Sequence, residues 1–450
     1  MNAPILFLRL FVVLSLLALA SFPVHAADSV PATNTVALPR TDANGNPLRR
    51  APTGHVSNYD EAKVTPYTLP DPLLLQNGKP VRNASAWFKQ RRPEILKLYQ
   101  TEIYGRVPKL APKVTFEVVE TDTNALDGKA IRKHVVGRFG DSPDGPKLNI
   151  ILYLPAKATK RVPVLLHLTF FGSPPASVAP NIITNAAPST NGTAARPRFN
   201  EAGPIAEILT RGYGYAILRY TEIQPDNAGT SQSGVQALAY APGQTKPAAD
   251  EWGTISAWAW GASRVIDYFE TDRAVDAKRV AVVGHSRLGK TVLWIGAQDP
   301  RVALVFSSCG GEMGSALARR DFGETVDDMA ANFPWQFAGN FQKYAGHWND
   351  MPVDAHMLIA LNAPRPVFIT GGTQDQWSDP HGEFLAEVAA GPVYRLLGKR
   401  DLGTSELPPL DTPLITGDLG FHYHTGGHTI TASDWKAFLD FADSHLKPTR

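Results

Sequence analysis

The chain has 450 residues, with 44 Lys and Arg against 42 Asp and Glu, and a single cysteine, Cys309. A formal net charge of +2 singles out no polyanionic partner and gives no reason to expect nucleic-acid binding. One cysteine excludes an intramolecular disulfide, and a chain of this length buries enough core to manage without one.

The chain opens with "MNAPILFLRLFVVLSLLALASFPVHA", an apolar run broken by one Arg and closed by the small-x-small pattern Val24-His25-Ala26. This predicts a secretory signal over residues 1–26, and export without disulfides points to a bacterial periplasm or secretion from bacteria. No later stretch approaches about 20 uninterrupted apolar residues, so no membrane anchor is expected once the signal is removed. Residues 27–85 are rich in Pro, Asn, Thr and Asp and are expected as an extended arm over a single catalytic domain, 86–450. A monomer is expected.

Asn83 or Ser85 is placed to cap a helix running through "WFKQRRPEILKLYQTEIYG". Strand-like runs follow in "KVTFEVVET", "KHVVGRF" and "KLNIILYLP", then "VPVLLHLTFFG", a continuous apolar run typical of a buried strand. Residues 173–203 have loop composition, and a long loop directly after such a strand is more often functional than idle. From residue 205 helical and strand patterns alternate: "IAEILTRGY", "GYAILRY", "DEWGTISAWAWGASRVIDYFE", "RVAVVGHS", "RLGKTVLWIGAQD" and "RVALVFSSC". A helical and irregular stretch leads to the strand "RPVFITGG", the helix "PHGEFLAEVAAGPVYRLLG", the short strand or loop "GDLGFHYHTGG" and a last helix, "ASDWKAFLDFADSHL". Alternation of this kind implies an α/β fold, a mostly parallel sheet with helices on both faces in a three-layer sandwich.

The stretch "RVAVVGHSRLGKTVLW" supports two readings. Gly284 to Thr291 fits the phosphate-loop pattern G-x-x-x-x-G-K-[ST], and it also sets a serine on a turn after an apolar strand, close to the G-x-S-x-G nucleophile elbow of α/β-hydrolases. The elbow is missed by one residue, because the second glycine is Gly289 rather than residue 288. A nucleotide site would want an acidic strand end to hold Mg²⁺, but "RVALVFSSCGG" offers no carboxylate before Glu312, and nucleotides are cytoplasmic currencies. The elbow has its partners in the order that such hydrolases use, serine, acid, histidine. Downstream of Ser286 lie Asp375 and Asp379 on the loop after "RPVFITGG", then His422, His424 and His428. A serine hydroxyl needs an imidazole to take its proton, and the imidazole needs a carboxylate to orient it. His428 follows Gly426-Gly427 and precedes a helix, which favours it as base. Asp375 is favoured as acid because Asp379 precedes Pro380 and suits a helix cap.

With "GHSRLGK", "APRPVFITGGTQDQWSDP" and "GGH" in place, the sequence resembles the glucuronoyl esterases, carbohydrate esterase family 15, from about residue 80 onward. "ALARRDFGETV" and "PVDAHMLIALNAPRP" resemble its bacterial branch. The resemblance implies an α/β-hydrolase that cleaves the ester between 4-O-methyl-glucuronic acid of xylan and an alcohol of lignin. It assigns attack to Ser286, proton transfer to His428, oxyanion support to Arg287, and sugar binding to Lys290, Glu324 and Trp377. Many members carry a catalytic Glu on the strand after the elbow helix; here that place falls on Cys309, which leaves Asp375 as the expected acid and Glu312 as the fallback. Two other functions are compatible with these residues, a carbohydrate acetyl esterase using the same triad and a hydrolase fold kept as a non-catalytic binding module. No C-x-x-C or H-E-x-x-H cluster is present, so no metal and no cofactor are expected.

Overall fold

The computed structural model describes residues 40–142, 144–171 and 202–447, all within one folded unit, Pro39–Arg450. The expected signal at 1–26 and nearly all of the loop expected at 173–203 lie outside the described residues.

Among the described residues nine strands form one sheet: β1 (Val114–Asn124), β2 (Ala130–Phe139), β3 (Lys147–Pro155), β4 (Val162–Thr169), β5 (Gly214–Arg219), β6 (Val275–His285), β7 (Val302–Ser308), β8 (Val367–Gly372) and β9 (Leu419–His424). Their spatial order is β1-β2-β3-β5-β4-β6-β7-β8-β9. The first three pair antiparallel, β3 meets β5 antiparallel, and every pairing from β5 to β9 is parallel. Composition explains the division. All eight residues of β4 and all six of β8 are buried, as central parallel strands require, whereas β1 at the edge is mostly exposed and carries Glu117, Glu120 and Asp122.

Side-chain alternation sorts β6 between two cores. Val280 and Val282 point into the larger one, beside α1 (Thr254–Thr271), α2 (Arg287–Gln298), α3 (Ala355–Leu361) and α4 (Pro380–Leu396). Ala281 and Val283 point into the other, with Phe306, Phe368 and the Trp435, Phe438 and Phe441 face of α5 (Ala432–Leu446). Helices thus cover both faces, the α/β-hydrolase layering that the alternation implies. Residues 84–103 form one helical run whose N-cap is Asn83, its Oδ1 accepting from Ala86 N at 2.9 Å.

Residues 40–85 contribute no strand to the sheet and lie along the body. Gly323 N donates to Asn58 O at 2.8 Å, Arg320 pairs with Glu61 at 2.7 Å, and the Arg49 guanidinium sits 4.6 Å from the Trp377 ring centre. Because the six neighbouring strands run parallel, β6, β8 and β9 all end on one edge of the sheet, and the loops leaving them carry the candidate catalytic groups.

Candidate active site

Ser286 stands between β6 and α2 with φ 58° and ψ −128°, a strained conformation for a residue with a side chain. That is the signature of a nucleophile elbow, which lifts the serine out of the sheet. Two close approaches account for its glycines. A Cβ on Gly284 would lie 2.3 Å from Leu288 O, and one on Gly289 would lie 2.8 Å from Ser307 Oγ and 3.0 Å from Ser308 O. The second glycine is therefore needed where α2 packs on the end of β7, one position later than the usual pattern. Ser286 N donates to Ser308 O at 2.8 Å, tying the turn to that neighbouring strand.

On the next loops, His428 Nδ1 donates to Asp375 Oδ2 at 2.7 Å, and Ser378 Oγ lies 3.2 Å from the same nitrogen. An ionised carboxylate only accepts, so this bond puts the proton on Nδ1 and leaves Nε2 as the basic nitrogen. Asp375 is buried while the His428 side chain is 41% exposed, so the acid is sheltered and the imidazole opens to solvent. The His428 ring centre is 4.4 Å from that of His285, the residue before the serine. Burial pushes the His285 imidazole well below its ordinary value, so it is a neutral neighbour and adds no charge against His428. The ring contact of His285 with His428 brings the His428 loop to the residue next to Ser286, and among the described residues no hydrogen bond joins Ser286 to His428.

The other candidate acids turn elsewhere. Asp379 receives Arg320 Nε at 2.8 Å and caps α4 by accepting from Gly382 N at 2.9 Å. Glu312 is buried near Asp354, Lys290 and Glu324, and burial holds its carboxyl well above the usual range. His422 and His424 both place Nδ1 on the buried Asp434, at 2.7 and 3.1 Å, and so support the end of β9 beneath the His428 loop. Cys309 is buried with its thiol pushed well above its ordinary value, chiefly by burial and then by Asp375. Cys309, Asp375 and His428 are, among the described residues, the one His/Cys/Asp/Glu trio with ligand atoms within 4.8 Å of one another. The His428–Asp375 bond already gives two of them a use.

Beside the elbow, Lys290 is buried and donates to Gly310 O at 2.8 Å and to Glu324 Oε2 at 3.3 Å. Trp377 Nε1 donates to the other Glu324 oxygen at 2.9 Å, and Glu324 N donates to Trp377 O at 2.7 Å. The three residues that the family resemblance nominated for the sugar thus form one connected group. Arg287, the residue after the serine, bonds Asp226, which the motif search did not reach. Ser378 was also missed; it has no sequence signal beyond lying three residues after Asp375.

Behind the Gly310–Gly311 turn, Glu383 Oε1 accepts from Gly311 N at 2.9 Å and Ser315 Oγ at 2.6 Å. Burial pushes its carboxyl up to about 8, and Glu387, one turn further along α4, lies well above the usual range for the same reason. Both shifts favour the uncharged acid in the folded protein over the ordinary value of 4.5. A folded pKa raised in a carboxylic acid means stability that is whole below the unfolded value and falls as pH rises toward the folded one, by at most about 1.4 kcal/mol per pH unit per group. The thermal midpoint should therefore decline between about pH 5 and pH 8, and Glu387→Gln should flatten the decline. A midpoint that is level over this range in the wild type would contradict the buried-acid assignment.

A family model described as glucuronyl esterase of fungi matches residues 204–398. The chain is 44% identical over 400 residues to "Carbohydrate esterase MZ0003" from an unknown prokaryotic organism, covering 86% of this chain and 92% of that one. It is 30% identical over 357 residues to a 4-O-methyl-glucuronoyl methylesterase of Cerrena unicolor, across 77% of this chain and 64% of the relative. Among solved structures, a glucuronoyl esterase from Solibacter usitatus superposes with a TM-score of 0.78 at 44% identity, covering 86% of this chain and all of that one. Its elbow, its sheet and these likenesses across most of its length place the chain in the glucuronoyl esterase family, carbohydrate esterase family 15, as a carboxylic ester hydrolase of the α/β-hydrolase fold.

Proposed function

We propose that this chain hydrolyses the ester between 4-O-methyl-glucuronic acid of xylan and a lignin alcohol, working outside the cytoplasm as an exported enzyme. The observation that carries the reading is the group of buried Lys290 with part-exposed Glu324 and Trp377, beside a strained serine and a His428–Asp375 pair. A charged and indole donor set of this kind suits the hydroxyls and ring of a sugar; an acetyl group has nothing to offer it.

Ser286 Oγ attacks the uronate carbonyl carbon while His428 Nε2 takes its proton, and Asp375 holds the imidazole and steadies the charge it gains. The developing oxyanion falls to the backbone N–H of Arg287, which as the first residue of α2 has no partner within its own helix, and to the Arg287 guanidinium. Collapse breaks the bond to the alcohol, which leaves with the proton from Nε2, and a uronoyl ester remains on Ser286. Water then attacks that ester with the same nitrogen as base, releasing the uronate and restoring the serine.

Hydrolysis of benzyl glucuronate beside an aryl acetate tests the substrate class. Loss of a hydrogen bond to a charged group is worth about 1.5–3 kcal/mol, or roughly 10- to 100-fold in affinity. Trp377→Ala should raise KM for the glucuronate by such a factor and leave hydrolysis of the acetate nearly unchanged. Equal losses on both esters, or wild-type activity on the acetate alone, would remove the sugar-site reading.

A further inference from the structure

Asp226 follows β5 in an irregular segment and carries a side chain only 4% exposed. Its Oδ2 accepts from Tyr220 OH at 2.8 Å and also bonds Arg287 Nη1. Its Oδ1 accepts from Trp335 Nε1 at 2.8 Å and Gln336 Nε2 at 3.0 Å. These donors come from the segment after β5, from the first residue of α2 and from the turn Pro334–Gln336. Four donors satisfy the lone pairs of a carboxylate and prevent it from rotating. The neutral donors fix the orientation of the carboxylate that the guanidinium binds.

Arg287 is held from a second side, its guanidinium carbon 5.1 Å from the centre of the Phe333 ring. Among the described residues Asp226 is the guanidinium's only hydrogen-bond partner, and the Arg287 side chain is 28% exposed. Its remaining N–H groups are thus available to a ligand. An arginine side chain has about 2 kcal/mol of rotamer entropy, and a donor fixed before the reaction loses none of it on the way to the transition state.

We propose that Asp226 is the positioning residue for Arg287, fixing the guanidinium for the tetrahedral oxyanion and coupling its orientation to the Trp335–Gln336 turn. This rests on the reading of Arg287 as an oxyanion donor. Asp226 touches no substrate and acts through the arginine.

The test is a double-mutant cycle in kcat and KM with wild type, Asp226→Ala, Arg287→Ala and the double variant, on whichever ester the wild type cleaves, benzyl glucuronate or the aryl acetate. That choice keeps the outcome separate from the substrate assignment. Loss of one oxyanion donor costs about 100- to 1,000-fold, and a loosened donor should cost less, so Asp226→Ala is expected to lower kcat about 10- to 100-fold with KM within about twofold. In the Arg287→Ala background the same change should alter kcat by less than about twofold, since nothing is left to position. Asp226→Asn keeps the shape and one acceptor and gives an intermediate loss, which supplies the reading if the alanine variant does not fold. An equal loss in both backgrounds would mean a structural staple and overturn the proposal. Unchanged kcat in Asp226→Asn and Asp226→Ala, or full activity in Arg287→Ala, would overturn it too.

Discussion

Ser286→Ala is expected to lower turnover of benzyl glucuronate by at least about 10⁴-fold, with KM and the thermal midpoint close to wild type. Ser286 is, among the described residues, the one serine or threonine at positive φ, and the residue before it packs on the His428 ring. Alanine keeps the backbone but has no nucleophile, leaving only what the oxyanion donors achieve with water. Alanine also carries a Cβ, so the strain at φ 58° stays and gives the thermal midpoint no reason to move. Turnover within tenfold of wild type would rule Ser286 out as nucleophile. Assay by product chromatography together with a thermal scan separates lost chemistry from lost structure.

The second large effect concerns the acid. Asp375→Asn should lower kcat by about 10⁴-fold, or about 5.5 kcal/mol, because an amide can donate to Nδ1 and stabilise the wrong imidazole tautomer. Glu312→Gln should change kcat by less than about tenfold. Burial raises its carboxyl well above the usual range, and it lies among Asp354, Lys290 and Glu324 with no hydrogen bond to His428 among the described residues, so it is not placed to orient the imidazole. Cys309→Ala should likewise retain most activity, since a buried neutral thiol cannot replace a carboxylate. Comparable losses in Asp375→Asn and Glu312→Gln would break the assignment of Asp375.

The layered α/β fold was readable because the parallel strands are nearly all apolar and the intervening helices amphipathic. Of the two caps the sequence offered, Asn83 and Ser85, the structure uses Asn83, and the division of β6 between two cores was seen only in the structure. The positions of Ser286, Asp375 and His428 were readable for a related reason: each lies just past the end of a recognisable parallel strand. What periodicity could not decide was the choice between neighbours. Asp375 and Asp379 occupy one loop, and only the turn Gln376–Ser378 directs the first to His428 and the second to Arg320 and the start of α4. The choice of elbow over phosphate loop rested on the order of serine, acid and histidine and on the lack of a carboxylate at the next strand end, while the dihedral angle at Ser286 is something that no pattern of residue types specifies. Asp226 was out of reach altogether. It lies 61 residues from Arg287 in a stretch without regular structure, and the pairing arises only when the segment after β5 folds over the start of α2. The contacts of Asn58 and Glu61 with the body are of the same kind, long-range bonds from a segment whose composition announces only that it is irregular.

The most direct test of the central claim, that Ser286 is the nucleophile of an esterase site, is stoichiometric labelling with a fluorophosphonate followed by peptide mass spectrometry and a parallel assay on benzyl glucuronate. The account predicts one phosphonyl group per chain, on the peptide containing Ser286, with hydrolytic activity lost in proportion to labelling and protected by added substrate. Label on another residue, or full glucuronate hydrolysis by protein labelled at Ser286, would contradict it.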